Sequence, residues 1–161
     1  MNFRVGQGWD LHRLVAGRSL MLGGVAIPSE LGELGHSDGD VLFHAIVDAM
    51  LGAIGAGDIG RHFPPSDQRW KDVPSRVFAG RVTEILAEAG WHIVNVDTTV
   101  VLERPKLAPH IDAIRASVAA ALGLPVDAVS VKAKTHEGVD AAGRLEAIEA
   151  QAIVLVGQTQ T

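Results

Sequence analysis

The chain has 161 residues, carries 14 Lys plus Arg against 19 Asp plus Glu for a formal net charge of −5, and contains no cysteine. That length suits one domain able to bury about two thirds of its unfolded surface, and 47% hydrophobic with 20% charged residues is globular composition. The missing cysteines exclude disulfides, thiolate metal sites and thiol nucleophiles, and the acidic balance argues against nucleic acid as a partner. No apolar run approaches the roughly 18 residues needed to cross a bilayer, and residues 1–20 lack the apolar core of a signal peptide, so a cytoplasmic protein without membrane contact is expected.

Residues 3–12 read as a strand, and Leu20 to Ile27 as a second, bent or bulged at Gly23-Gly24. Gly32 to Asp40 has loop composition. Val41 to Ala56 holds only two polar side chains, His44 and Asp48, which predicts a helix buried on nearly every face. Residues 57–74 are irregular. Ser75 is expected to cap a helix carrying Phe78, Val82, Ile85, Leu86 and Ala89 and stopping at Gly90. His92 to Leu102 alternates as a strand. A helix from about Ala108 presents Ile111, Ile114, Val118 and Leu122 before Gly123 and Pro125 end it. Val129 to Lys134 and Glu146 to Val156 close the chain as strands. No repeat or linker appears, so residues 1–161 are taken as one α+β domain, its helices on one face of a mixed β-sheet.

Asp10 and His12 stand two apart in the first strand and so face one side. Asp40, His44 and Asp48, at i, i+4 and i+8, form one polar stripe on an apolar helix. Buried unpaired, such groups cost several kcal/mol each on the order of, so they need partners, a metal or an open cleft. A core histidine satisfied by a neighbouring carboxylate is the plain reading. With Asp10 and His12 added, a divalent ion held by one carboxylate and two imidazoles (Asp10, His12, His44) is the better one, with a position left for water or substrate. Asp48 is then a partner that orients His44, and Asp40 a supporting carboxylate or helix cap. The run from His36 to Asp40 leads into the helix N-terminus, where phosphate oxygens are attracted. Gly6-Gln7-Gly8 lacks the third glycine and the βαβ setting of a dinucleotide fingerprint. The residues alone reach a metal-dependent site for a small, phosphorylated ligand.

Several segments in order, spanning nearly the whole chain, resemble the 2-C-methyl-D-erythritol 2,4-cyclodiphosphate synthases of the non-mevalonate isoprenoid pathway. They are Gly8-Trp9-Asp10-Leu11-His12, Gly23-Gly24-Val25-Ala26-Ile27-Pro28, His36-Ser37-Asp38-Gly39-Asp40-Val41 with His44, Gly57-Asp58-Ile59-Gly60 with Phe63-Pro64, Asn95-Val96-Asp97, Pro105-Lys106 with Pro109-His110, and Val131-Lys132-Ala133. The resemblance implies cyclisation of 4-diphosphocytidyl-2-C-methyl-D-erythritol 2-phosphate: its 2-phosphate attacks the β-phosphorus and CMP leaves. It assigns Asp10, His12 and His44 to a zinc-type ion, and Glu137 to a second ion, magnesium or manganese, at the diphosphate. It assigns His36 and Thr135 to positioning the phosphates and stabilising the transition state.

By the same resemblance, Asp58 and Gly60 belong to the loop that contacts the sugar. Leu102, Pro105, Lys106, Leu107 and Ala108 belong to the cytidine pocket. The site is expected between subunits of a homotrimer, with Trp9 and Arg144 near an axial cavity suited to an isoprenoid diphosphate. The chain departs from the family at Pro65, where an Asp is common and Asp67 is the candidate replacement. It departs again at Lys134 and His136 in a Thr-rich run, and at Asp140 and Ala141 in place of Gly and Phe. Two other readings use the same residues: a zinc-dependent phosphohydrolase, and a non-catalytic trimeric protein that binds isoprenoid diphosphates.

Overall fold

In the computed structural model, which describes residues 2–35 and 37–159, the strand β1 spans Phe3–Ala16 and sorts its side chains by parity. Gly6, Gly8 and Leu14 are buried toward the helix layer, with Asp10 and His12 on that same side, while Phe3, Val5, Trp9 and Leu11 stand exposed on the other. Leu20 to Ile27 is not one bent strand. Gly23 and Gly24 take φ of 56° and 78°, which turns the segment into a hairpin of β2 (Leu20–Leu22) and β3 (Val25–Ile27). Inside the segment expected to be loop, Leu31–Glu33 forms the short strand β4, paired antiparallel to β1 with Leu14 opposite Glu33.

The helix α1 (Val41–Ala53) is buried almost all round, as its composition predicts. It is followed by α2 (Ile59–His62), α3 (Arg76–Glu88), β5 (Trp91–Val101), α4 (Ile111–Leu122), β6 (Val129–Lys134), α5 (Asp140–Gly143) and β7 (Ala147–Gln158). The main sheet has the order β4-β1-β7-β5-β6, antiparallel throughout except for the parallel pair β5-β6. α1 lies over β1 and β7, α4 over β6, and α3 beside both helices. The result is a single α+β domain with a mixed sheet and helices on one face.

α1 sits unusually low on β1. A Cβ at Gly6 would fall 1.8 Å from the Ala49 carbonyl oxygen, and Gly8 lies in the same way beneath Ala45. Ala45, Ala49 and Ala53, four residues apart, give the helix a smooth stripe that matches the two glycines. His44 precedes that stripe by one residue and Asp10 follows Gly8 by two, so the close seat of helix on strand sets their approach.

Candidate metal centre

Asp10 and His12 from β1 and His44 from α1 converge. Asp10 Oδ2 is 3.0 Å from His12 Nε2 and 3.1 Å from His44 Nδ1, and the two ring nitrogens are 3.2 Å apart. Ligands at about 2.0–2.1 Å from a tetrahedral ion stand roughly 3.3–3.4 Å from one another, so this triangle is close to one face of such a site. The donor set, one carboxylate and two imidazoles, is that of an open divalent-metal centre.

Electrostatics point the same way. Burial opposes ionisation of Asp10, but hydrogen bonds and charge from His12 and His44 outweigh it and hold the carboxyl below the usual carboxylate range. Burial also opposes the His12 cation, yet Asp10 and Glu33 push that imidazole up to about 10. The cluster thus gathers positive charge, and a divalent ion would supply in one place what a proton supplies in its absence.

Each imidazole is held from behind. His12 Nδ1 meets Gly39 O at 2.7 Å and Glu33 Oε2 at 2.9 Å. His44 Nε2 meets Ser75 Oγ at 3.0 Å and Ser37 Oγ at 3.1 Å, and the Ser75 hydroxyl donates to Asp38 Oδ1 at 2.5 Å. With an ion bound, Nδ1 of His12 and Nε2 of His44 would carry the protons, so that Nε2 of His12 and Nδ1 of His44 would face it with their lone pairs. Arg18 fixes the intervening loop by donating to Glu33 O and Ser37 O.

Several expected roles change here. Ser75 makes no side-chain cap for α3, because its hydroxyl is committed to Asp38 and His44. Asp48 makes no hydrogen bond to His44. Its Oδ1 accepts the Ile59 N–H at 2.7 Å, tying α1 to the start of α2. Burial raises the Asp48 carboxyl. Asp40 caps α1 by accepting from Phe43 N, and it also accepts from Gly23 N and Gly24 N, which anchors the β2-β3 hairpin. Burial pushes Asp40 up to about 6 against those three bonds.

His12 and His44 open into a pocket of about 180 Å³ that Gly60, Phe63, Pro65, Trp70 and Phe78 also line. Asp58, which precedes the lining residues Ile59 and Gly60 in the chain, caps α2 by accepting from Arg61 N. Asp67 is held by Arg69 and caps a short turn, and it does not line this pocket, whereas Pro65 does. A second pocket, about 370 Å³, gathers Leu102, Lys106, Leu107, Ala108, Lys134, Thr135 and Glu137. There Thr135 Oγ1 donates to Glu137 Oε1 at 3.3 Å. Pro105 follows a cis peptide beside this pocket. His136 pairs with Asp140 at 2.6 Å, Arg144 with Glu146 at 3.0 Å, and Ala141 lies in α5; these three do not line it. His36 lies outside the described residues.

The two pockets are apart within one chain. Leu11 is in register with Glu149, Glu149 with Val101, and Val101 with Lys134. Three steps of about 4.8 Å between strands separate β1 from β6 by roughly 14 Å. Glu137 accordingly does not join Asp10, His12 and His44 in one cluster. Glu33, Ser37 and Ser75 are site residues outside the expected ligand set; Ser37-Asp38 carries helix-start and phosphate-attracting signals in the sequence, and its link to His44 through Ser75 comes from tertiary contact alone.

A two-layer α+β domain with an Asp-His-His centre at the junction of its first strand and first helix is the class these features define. The chain belongs to the YgbB family, whose pattern matches residues 3–157. A relative from Dechloromonas aromatica (strain RCB), named 2-C-methyl-D-erythritol 2,4-cyclodiphosphate synthase, is 58% identical over 156 residues, covering 97% of this chain and 98% of its own. Among solved structures, a 2C-methyl-D-erythritol-2,4-cyclodiphosphate synthase in a CDP-bound form superposes with a TM-score of 0.89 at 41% identity, over 96% of this chain and all of that one. The bifunctional IspDF of Campylobacter jejuni superposes with a TM-score of 0.95 at 34% identity, and this chain, 99% covered, spans 43% of it.

Proposed function

We propose that this protein is a metal-dependent cyclase that converts 4-diphosphocytidyl-2-C-methyl-D-erythritol 2-phosphate to 2-C-methyl-D-erythritol 2,4-cyclodiphosphate and CMP, in the cytoplasm. The observation that carries this reading is the Asp10-His12-His44 triangle opening into a small pocket, in a chain alike along its whole length to proteins named for that product. Asp10, His12 and His44 hold the first ion, zinc by its donor set, and Glu137 serves a second, magnesium or manganese. The ions, when bound, supply Lewis acidity to the diphosphate.

The chain's own residues do the rest. Lys106 and Lys134 offset phosphate charge in the larger pocket, where Leu102, Pro105, Leu107 and Ala108 shape a cytidine site. His36 and Thr135 position the reacting phosphates, and His136 contributes at the rim. Asp58, Gly60 and Asp67 belong to the segment that borders the sugar. Phe63, Trp70 and Phe78 keep water from the smaller pocket, which favours the internal phosphate as nucleophile over solvent. No protein nucleophile is required.

We further propose a homotrimer whose active sites form between subunits. Support comes from the separation of the two pockets and from the bare sheet face, where Phe3, Val5, Trp9, Leu11 and Ile153 are all exposed. Trp9, Ala141 and Arg144 then fall near a shared axis, where an isoprenoid diphosphate is a candidate ligand. The test is product identification by phosphorus NMR after incubation with the substrate and magnesium. Cyclic diphosphate with CMP supports the cyclase, and linear phosphates or tight binding without turnover would replace it.

A further inference from the structure

Glu33 is fully buried, with a relative exposure of 0%, yet among the described residues it belongs to no ion pair with Lys or Arg. It sits at the end of β4 opposite Leu14, so it shares a face of the sheet with His12, one diagonal step away. Its Oε2 is 2.9 Å from His12 Nδ1 and also accepts the Val41 N–H, at the first turn of α1, at 2.9 Å. Its other oxygen, Oε1, is buried without a partner among the described residues. A carboxyl group left half-satisfied in the interior is costly, and the Gly39 carbonyl already gives the His12 N–H an acceptor. Ring orientation alone does not explain why an acid stands there.

We propose that Glu33 is a positioning carboxylate for the metal centre, acting through His12 to tighten its hold on a divalent cation. Asp10 offers one negative charge at the ion and Glu33 offers a second behind the imidazole, so that a doubly charged ion is matched within one side chain of itself. The Val41 N–H and the N-terminus of α1 keep the Glu33 oxygen aimed at the ring. The same bond raises the electron-donating power of Nε2.

This inference rests on the Asp10-His12-His44 metal site, and the experiment separates the two. Zinc and cobalt(II) affinities and release rates are measured by chelator competition on the full chain, as wild type, Glu33→Gln and Glu33→Leu. Gln retains an acceptor without the charge, and Leu replaces the buried acid with an apolar group of similar size, a change that interiors tolerate. The expected result is about tenfold weaker binding in Glu33→Gln and up to about a hundredfold in Glu33→Leu, with faster release. The cobalt spectrum of Glu33→Gln should keep its tetrahedral form, since the Gly39 carbonyl still orients the ring. A purely structural Glu33 would instead change the thermal midpoint of the metal-free protein and leave affinity and release within twofold of wild type, which overturns the proposal. Wild-type protein that binds neither ion removes the metal-site reading and this inference with it.

Discussion

Gly8 lies directly beneath Ala45: a methyl group added at Gly8 would stand 1.9 Å from the Ala45 carbonyl oxygen and 2.7 Å from Ala49 N. Backbone cannot yield as a flexible side chain does, so α1 must lift from β1 to admit it. Gly8→Ala is expected to destabilise the fold by about 3 kcal/mol or more. Because His44 is next to Ala45, zinc content should fall as well. Denaturant unfolding and metal analysis on the same preparation check both.

Removing a ligand acts on the ion rather than the fold. His44 is part-buried at the edge of the smaller pocket, and the close seat of α1 on β1, where Gly6 and Gly8 lie beneath Ala49 and Ala45, does not involve its side chain. His44→Ala should abolish stoichiometric zinc and lower turnover by more than about a hundredfold, since even partners of metal ligands contribute about 10–100-fold. Retention of zinc in that variant would show that the ligand set is wrong.

The metal-free protein should have a particular response to pH. His12, raised from 6.5 to about 10 by Asp10 and Glu33 against burial, contributes stability that is complete below pH 6.5 and is lost as pH rises through 10. Asp10 has the opposite sign: its contribution is present above 3.8 and lost as pH falls through its lowered value. With a chelator present, the thermal midpoint should therefore fall between pH 6.5 and 9.5. Saturating zinc should flatten that decline, because the ion replaces the His12 proton. Equal slopes with and without zinc would contradict the assignment.

The proposed sharing of sites between subunits has a numerical consequence. On that proposal His44→Ala should disable the half-site on β1 and α1, and Glu137→Ala the half-site after β6. In trimers mixed at random from equal amounts of the two, about a quarter of the interfaces pair two intact halves. Coexpressed variants should recover roughly that fraction of wild-type turnover, against near zero for either alone. Trp9→Glu, on the exposed sheet face, should lower the oligomer mass in light scattering and abolish recovery.

Much of this was legible in the residues. The alternation through Asp10 and His12, and the nearly all-apolar helix interrupted at His44, carry local signals of period and polarity that the structure keeps. The failures are equally physical. Asp48 shares a helix face with His44, but an unpaired N–H at Ile59 claims its carboxylate, a contact that no spacing within the helix encodes. Glu33 occupies a three-residue strand in a glycine-rich stretch, too short for periodicity to register, and its partner is 21 residues away. Ser75 looked like a cap by position, and only tertiary proximity of Asp38 and His44 redirects its hydroxyl. Gly6 and Gly8 had a readable purpose: strand glycines two apart match helix alanines four apart, a complementarity that appears only when the two elements are compared.

The most direct measurement follows the oxygen atoms. Turnover of 4-diphosphocytidyl-2-C-methyl-D-erythritol 2-phosphate in ¹⁸O-enriched water distinguishes attack by the internal phosphate from attack by solvent. The expected products are CMP and a cyclic diphosphate, neither carrying solvent oxygen. A linear phosphate or a CMP that has taken up one ¹⁸O atom would contradict the cyclase and establish a hydrolase at the same metal centre.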